Sequence, residues 1–358
     1  MATLNDTVRR ILSLAREAGT IEAAAARDLV TTYLLELGYK VEIQRFTFAP
    51  ASLRAFPLFG AGLGGLALVL LPFLGSPGLP SWGALGVWVA GLLALIIVVT
   101  GVGLGWVSLG EAPREDANVI ATRGNGRPSR WIVAHLDSKA QGHSMAGRLV
   151  AVWTASVTVA VLTGLTLLRL KATVSPVWLG VGAALALVAG FLAGRGRLRG
   201  QSRGARDNGT GIVAALTAAE ATSDPRIGVL ITGAEEFGLV GARVFARLSS
   251  NLGEAEFVNL DTLDEEGNLY IVSHDSRGDR LARELELPLK ALGLPTRRRR
   301  LPLGIFVDSA PLARSHARSI TVGRLTWKTL RLIHTTADTP DELSFDTAER
   351  IGRILASN

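Results

Sequence analysis

Between Arg54 and Glu111 the chain runs for 56 residues without a charged side chain. No soluble α/β domain needs such a run, and a bilayer-spanning helix needs roughly 20 apolar residues. Residues 55–110 therefore fit two spans, and the charge-free stretches 149–168 and 172–194 fit one each. Pro77 and Pro80, with Gly75 and Gly78, break the first block. Arg169–Lys171 and then Ser175–Pro176 separate the other pair. Five of the seven tryptophans (82, 88, 106, 153 and 178) lie in these blocks, several near span ends where an interfacial belt forms. The blander alternative is buried core helices of a large soluble protein. The pattern predicts two transmembrane hairpins, residues 55–110 and 147–200, in a multi-pass membrane protein.

The first 30 residues carry both signs of charge and no continuous apolar core, so they do not read as a secretory signal. The net charge of +7 is concentrated at span ends: Arg195, Arg197, Arg199, Arg203 and Arg206 crowd the exit of the fourth span, with Arg54 and Arg148 at two others. Only Arg169 and Lys171 oppose them at the distal turns. The positive-inside tendency then predicts a cytoplasmic catalytic part. Arginines that flank spans imply a lipid bilayer, not nucleic acid, as partner. The run Arg297–Arg300 reads as a charged edge strand, since charge guards an edge against further pairing. With no cysteine there is neither a disulfide nor a thiolate metal site. No feature of the sequence sets an oligomeric state.

Without the hairpins, residues 1–54, 111–146 and 201–358 make up one discontinuous domain of ordinary size. An N-terminal helical region precedes the alternating strand KVEIQRFTF (40–48). Further strands follow around the Gly-Asn-Gly turn at 124–126, at IGVLIT, at EFVNLDT and at SITVGR, with helical segments between them. Strand–helix alternation with continuous apolar strands predicts an α/β fold: a mostly parallel mixed sheet sandwiched by helices.

Ligand sites in such sheets lie beyond the carboxyl ends of the strands. IVAHLDS ends in His135 and Asp137, VLITGAEE in Glu235 and Glu236, and FVNLD in Asp261. Asp207 opens a helix through DNGTG, and His334 lies in IHTTADTP. Carboxylates at buried strand ends are costly unless paired or bound to a cation. Each residue has a bland reading alone, as a helix cap, a solvated turn or a satisfied polar group. Two histidines and several carboxylates converging on one edge suit a divalent metal, zinc foremost.

The order H-x-D, D-N-G-x-G, E-E, N-x-D-T and a late His followed by D-T-x-D resembles the M28 zinc peptidases. The resemblance covers nearly all of the chain outside the hairpins. It implies two Zn²⁺ per chain: His135, Asp207 and Asp261 around one, with Asp207 bridging to a second held by Glu236 and His334. It further implies Glu235 as general base, Asp137 behind His135, and a cis peptide at Asp207–Asn208. Three negative ligands against the four positive charges of two Zn²⁺ would leave an electrophilic site able to ionise water near neutral pH.

Three features depart from the pattern. The second hairpin separates His135 from Asp207. Ile333 stands where some relatives place a tyrosine that polarises the substrate carbonyl. His143, His274 and His316 match no ligand position and read as structural or solvated. The implied activity is a membrane-embedded two-zinc metallopeptidase, an aminopeptidase acting on a peptide or another amide. Two alternatives stay open: a glutaminyl-cyclase-like single-zinc acyl transferase, and a non-catalytic membrane scaffold with a peptidase-like domain. If the strand 40–48 runs toward the ligand edge and pairs antiparallel with the next, both hairpins leave from that edge. Substrates are then expected at the membrane, with soluble peptides as the alternative.

Overall fold

The computed structural model describes residues 3–249, 252–341 and 343–357. The chain forms two compact units, one of Met1–Phe48, Pro113–Ala140 and Gly200–Asn358, the other of Ala49–Ala112 and Gln141–Arg199.

The first unit opens with α1 (Leu4–Leu12) and α2 (Ile21–Glu36). Thr3 and Thr20 cap them, their hydroxyls each accepting a backbone N–H at 3.2 Å that helix geometry leaves free. After β1 (Lys40–Phe48) come the second unit's helices: α3 (Ala55–Gly75), α4 (Ser81–Gly103), α5 (Met145–Arg169) and α6 (Pro176–Gly194). The first unit contributes β2 (Arg114–Thr122) and β3 (Arg130–His135) between these pairs. It then resumes with α7 (Thr210–Ala221), β4 (Ile227–Thr232), α8 (Val240–Leu248), β5 (Glu256–Leu263) and β6 (Asn268–Ser273). It ends with α9 (Ser276–Lys290), β7 (Thr296–Arg300), α10 (Ser309–Arg314), β8 (Arg318–Leu325), α11 (Trp327–Leu332) and α12 (Asp346–Ser357).

Among the described residues eight strands form one sheet in the order β1-β2-β4-β3-β5-β8-β6-β7. β4, β3, β5 and β8 are mutually parallel, β2 is antiparallel to both β1 and β4, and β6 is antiparallel to β8. This is the mixed, mostly parallel α/β sheet predicted. Every residue of β4 is buried, as in a strand covered on both faces. On one face Val30, Ile132, Leu216, Val258, Leu281 and Ile351 join α2, α7, α9 and α12 to the sheet. On the other, Trp131, Phe245, Phe257 and Leu312 pack beneath α8 and α10, with Trp131 stacked 6.2 Å from Phe257. The arginine run is the edge strand β7. Arg298 and Arg300 pair with Glu286 and Asp279 of α9 at 2.8 and 2.6 Å. Strand β6 was not anticipated: its NLYIVS alternation is short and flanked by charge.

The pairings decide where chemistry can occur. β3, β4 and β5 deliver their carboxyl ends to one edge, where β1 also ends and β2 begins.

In the second unit all four helices are long and apolar enough to cross a membrane. Leu63, Leu70, Leu162 and Ala189 build an interior, while Ile97 and Leu187 point outward at 70% and 68% exposure. An apolar exterior around a packed interior is what lipid requires. Polar links cross the bundle: Trp88 Nε1 donates to Thr163 Oγ1 at 3.0 Å, and Thr158 Oγ1 to the Leu185 carbonyl at 3.2 Å. Arg169, counted above as a charge at a distal turn, donates to the carbonyls of Phe73, Ser76 and Leu79 at 2.9–3.2 Å. It staples the two hairpin turns together.

Candidate metal centre

His135 ends β3 and Asp261 lies near the end of β5, while Asp137, Asp207, Glu235, Glu236 and His334 lie on segments outside the strands. Buried polar groups grip the Asp207 and Glu235–Glu236 segments. The turn after β4 carries Glu235 and Glu236. Its backbone closes on itself through Leu239 N to Glu235 O at 2.7 Å and Gly241 N to Gly233 O at 3.0 Å. Asn118 of β2 braces both ends, accepting from Gly233 N at 3.1 Å and donating to Gly241 O at 2.9 Å. A Cβ at Gly241 would fall 2.3 Å from Asn118 Oδ1 and 2.5 Å from Gly233 O, so only glycine allows this approach.

Asp137 is 1% exposed. Its two carboxylate oxygens accept the consecutive backbone N–H groups of Glu235 and Glu236 at 2.9 and 3.1 Å. Asp338 does the same for the Asp207 segment, accepting from Arg206 N at 2.9 Å and Asp207 N at 3.1 Å. Asn208, joined to Asp207 by the cis peptide that the resemblance implied, accepts from Thr262 N at 3.2 Å and donates to Leu260 O at 2.8 Å. The Asp207 turn is thereby fixed against the end of β5, where Asp261 sits.

The five candidate ligands converge. Asp207 divides its oxygens, Oδ1 lying 3.2 Å from His135 Nε2 and Oδ2 lying 3.1 Å from His334 Nε2. Asp261 Oδ1 is 4.0 Å from His135 Nε2, and Glu236 Oε1 is 3.4 Å from His334 Nε2. Ligands about 2.0–2.1 Å from a tetrahedral cation are separated by roughly 3.3 Å, the spacing these pairs bracket. Two triads could each hold a cation: His135 with Glu235 and Asp261, and Asp207 with Glu236 and His334. Glu235 thus lies within reach of the first position as well as beside it. Glu236 Oε1 and His334 Nδ1 are buried without a hydrogen-bond partner among the described residues. A buried carboxylate oxygen without a donor fits a cation ligand.

His135 Nδ1 faces the Asp137 carbonyl at 3.0 Å, so that nitrogen carries the proton and Nε2 is free for a cation. The Asp137 carboxylate is farther away, at 3.8 Å from Nδ1. Asp137 supports the histidine with its backbone and the two glutamates with its side chain.

Burial pushes Glu235 well above the carboxylate range, with Glu236 and Asp308 adding to it. Burial also raises Asp261 and Asp137, each to about 7. Burial alone would push His135 down, but Glu235, Asp207 and Asp261 hold it well above its ordinary value. Asp207 resists burial and stays below the usual range because both histidines bond it. An acid-rich pocket of this kind calls for positive charge.

Lys139 meets part of that need, and sequence reasoning missed it. Its buried Nζ lies 2.5 Å from Glu236 Oε2, which leaves Oε1 alone to face His334. Asp308 was also missed; it is fully buried, bonds the Thr232 hydroxyl, and leaves Oδ1 without a partner among the described residues. No local signal marks either residue, since Lys139 and Glu236 are 97 positions apart. Asp338 was legible in the D-T-x-D motif but had been given no role. Ile333 is buried and offers no donor. Of the unassigned histidines, His274 bonds Ser309 Oγ at 2.7 Å and His316 bonds Arg277 at 2.9 Å.

Residues 187–358 match the model of peptidase family M28. No curated protein matches the chain. An aminopeptidase from Aneurinibacillus sp. strain AM-1 is 14% identical with a TM-score of 0.57, covering 99% of this chain and 92% of its own. A zinc aminopeptidase from Bacillus subtilis is 13% identical, TM-score 0.57, covering 99% and 94%. A glutaminyl cyclase from Fimbriiglobus ruber is 14% identical, TM-score 0.57, covering 99% and 93%. At such identities the likeness is one of fold.

Proposed function

We propose that this chain, whose residues 187–358 match the M28 peptidase model, is a membrane-embedded two-zinc aminopeptidase. One observation carries the proposal: Asp207 presents one oxygen to each of two histidines, at 3.2 and 3.1 Å, as a carboxylate shared between two cations would. The donor set fits zinc, with imidazole and carboxylate ligands only and one carboxylate oxygen left orphaned beside His334. His135, Asp207 and Asp261 would hold one ion, and Asp207, Glu236 and His334 the other. Bound zinc supplies Lewis acidity, polarising a substrate carbonyl and lowering the pKa of water.

The remaining chemistry belongs to the chain. Glu235, as a carboxylate whose burial raises its proton affinity, would take the proton from the attacking water and then, as the acid so formed, deliver it to the leaving amine. Asp137 holds Glu235 and Glu236 by their backbones so that one serves as base while its neighbour ligates. Lys139 keeps Glu236 turned with a single oxygen toward His334. Since β1 ends and β2 begins at the ligand-bearing edge, peptides delivered at a membrane surface are the proposed substrates, with soluble peptides as the alternative.

A second reading is favoured by the shared fold of the glutaminyl cyclase: acyl transfer at a single zinc. Zinc analysis of detergent-purified protein separates the readings, with about two ions per chain for the peptidase, one for the cyclase and none for a scaffold. Turnover of aminoacyl-coumarins supplies the activity. Glu235→Gln is expected to retain zinc and lose at least about a hundredfold in turnover, the usual scale for a general base. Glu236→Gln is expected to lose zinc. Full activity in Glu235→Gln refutes the assignment.

A further inference from the structure

Arg16 lies in the loop between α1 and α2, outside the stretch that matches the family model, and is completely buried. Among the described residues no carboxylate bonds it. Nε donates to Leu136 O at 2.8 Å, Nη1 to Arg203 O at 2.5 Å and Nη2 to Gly204 O at 3.0 Å. Its backbone is tied as well: Arg16 N donates to Ser138 Oγ, and Ser138 N to Arg16 O, both at 3.1 Å. Burial pushes the guanidinium down to about 10, opposed by Asp338, Asp137 and Asp207, so it remains a cation at neutral pH. A buried cation whose guanidinium bonds carbonyls among the described residues is expensive, and its position suggests why it is kept.

The three carbonyls come from two segments. Leu136 lies between His135 and Asp137, and Arg203 and Gly204 lead into Asp207. Between these segments the chain leaves the unit at Ala140 and returns at Gly200. A long insertion makes the juncture entropically costly to close unless contacts at its base hold it. Ser138 Oγ donates to Ser202 O at 2.7 Å, and Gly204 N to Ser202 Oγ at 3.0 Å, pinning the same two strands of chain. Gly204 has φ +54, and a Cβ there would lie 2.4 Å from Asp207 O and 2.5 Å from Ser138 Cβ. The segments meet as closely as backbone allows.

We propose that Arg16 is a positioning residue for the metal centre: its guanidinium fork sets the separation of His135 and Asp207 across the gap opened by the α5–α6 insertion. The proposal rests on the zinc reading above and assigns the N-terminal segment a part in a site whose ligands lie elsewhere. A purely electrostatic role predicts the opposite sign, because a cation near the ligands repels zinc.

The test is competition with a chromogenic zinc chelator on full-length protein in detergent. Arg16→Lys keeps the charge but not the fork, and Arg16→Met removes both. Positioning predicts that both lose about 10–100-fold in zinc affinity, the usual effect of removing a group that orients ligands. Arg123→Met is the matched control. Arg123 likewise donates to carbonyls, those of Thr222, Leu37 and Ala219, but at the far end of β2. It should lose fold stability while keeping wild-type zinc affinity. Ser138→Ala, a milder cut in the same clasp, is expected to lose affinity in the same direction and covers the case where Arg16 variants do not fold. Wild-type affinity in Arg16→Lys, tighter binding in Arg16→Met, or equal losses in Arg123→Met each overturn the proposal. Absence of zinc uptake by the wild-type protein instead overturns the zinc reading, and the clasp with it.

Discussion

Replacing Asp137 by asparagine separates fold stability from metal binding, and the structure sets the sign of each effect. The carboxylate accepts two N–H groups, from Glu235 and Glu236 at 2.9 and 3.1 Å. An amide has one oxygen, so its NH₂ must face the second N–H. Losing a charge-assisted hydrogen bond costs about 1.5–3 kcal/mol, and stranding a buried N–H costs about 1–3 more. Against that, burial has raised the Asp137 carboxyl to about 7. This is roughly 3 above an ordinary aspartate, or about 4 kcal/mol of penalty on the charged form that a neutral amide avoids. The two contributions oppose each other, the shift being already net of the Glu235 hydrogen bond. Asp137→Asn is therefore expected to change the stability of the zinc-free protein by no more than about 2 kcal/mol. The geometry does not cancel, since the turn loses its second anchor and both glutamates shift. Zinc affinity should fall about 10–100-fold. Thermal melting in excess chelator reads the first quantity, and chelator competition reads the second. A variant that melts far below wild type yet binds zinc as tightly would refute the reasoning, making Asp137 a brace for the fold alone.

Zinc affinity should also weaken as pH falls, beginning above neutrality for His135 and continuing through about 7 for Asp261. His135 is held well above its ordinary value and Asp261 is raised to about 7, so protons compete for both ligands there. Chelator competition across that range checks it, and pH-independent binding would show that neither residue is a ligand. For topology, single cysteines placed at Ser76 and Thr173 in the cysteine-free chain should react with an impermeant maleimide on intact cells, while one at Asn125 should not. The reverse pattern would place the catalytic unit outside.

Periodicity and charge were enough to determine much of this protein. An uncharged run longer than two spans has few places to go but lipid or a buried bundle, so the four apolar helices were legible from composition alone. The continuous apolar strands and their acidic or histidine termini were legible too, because a buried strand end tolerates such residues only where something compensates them. That placed His135, Glu235, Glu236 and Asp261 at one edge, and the motif order joined Asp207 and His334 to them. Tertiary structure alone decided how they are held. Asp137 was expected to support His135 through its carboxylate, whereas the carboxylate grips the two glutamates and the backbone carbonyl serves the histidine. Lys139 reaches Glu236 and Arg16 reaches Gly204 across 97 and 188 positions of sequence. Such contacts leave no periodic trace, because a hydrogen bond between distant segments depends on where the fold brings them. A strand's apolar pattern depends only on its own neighbours.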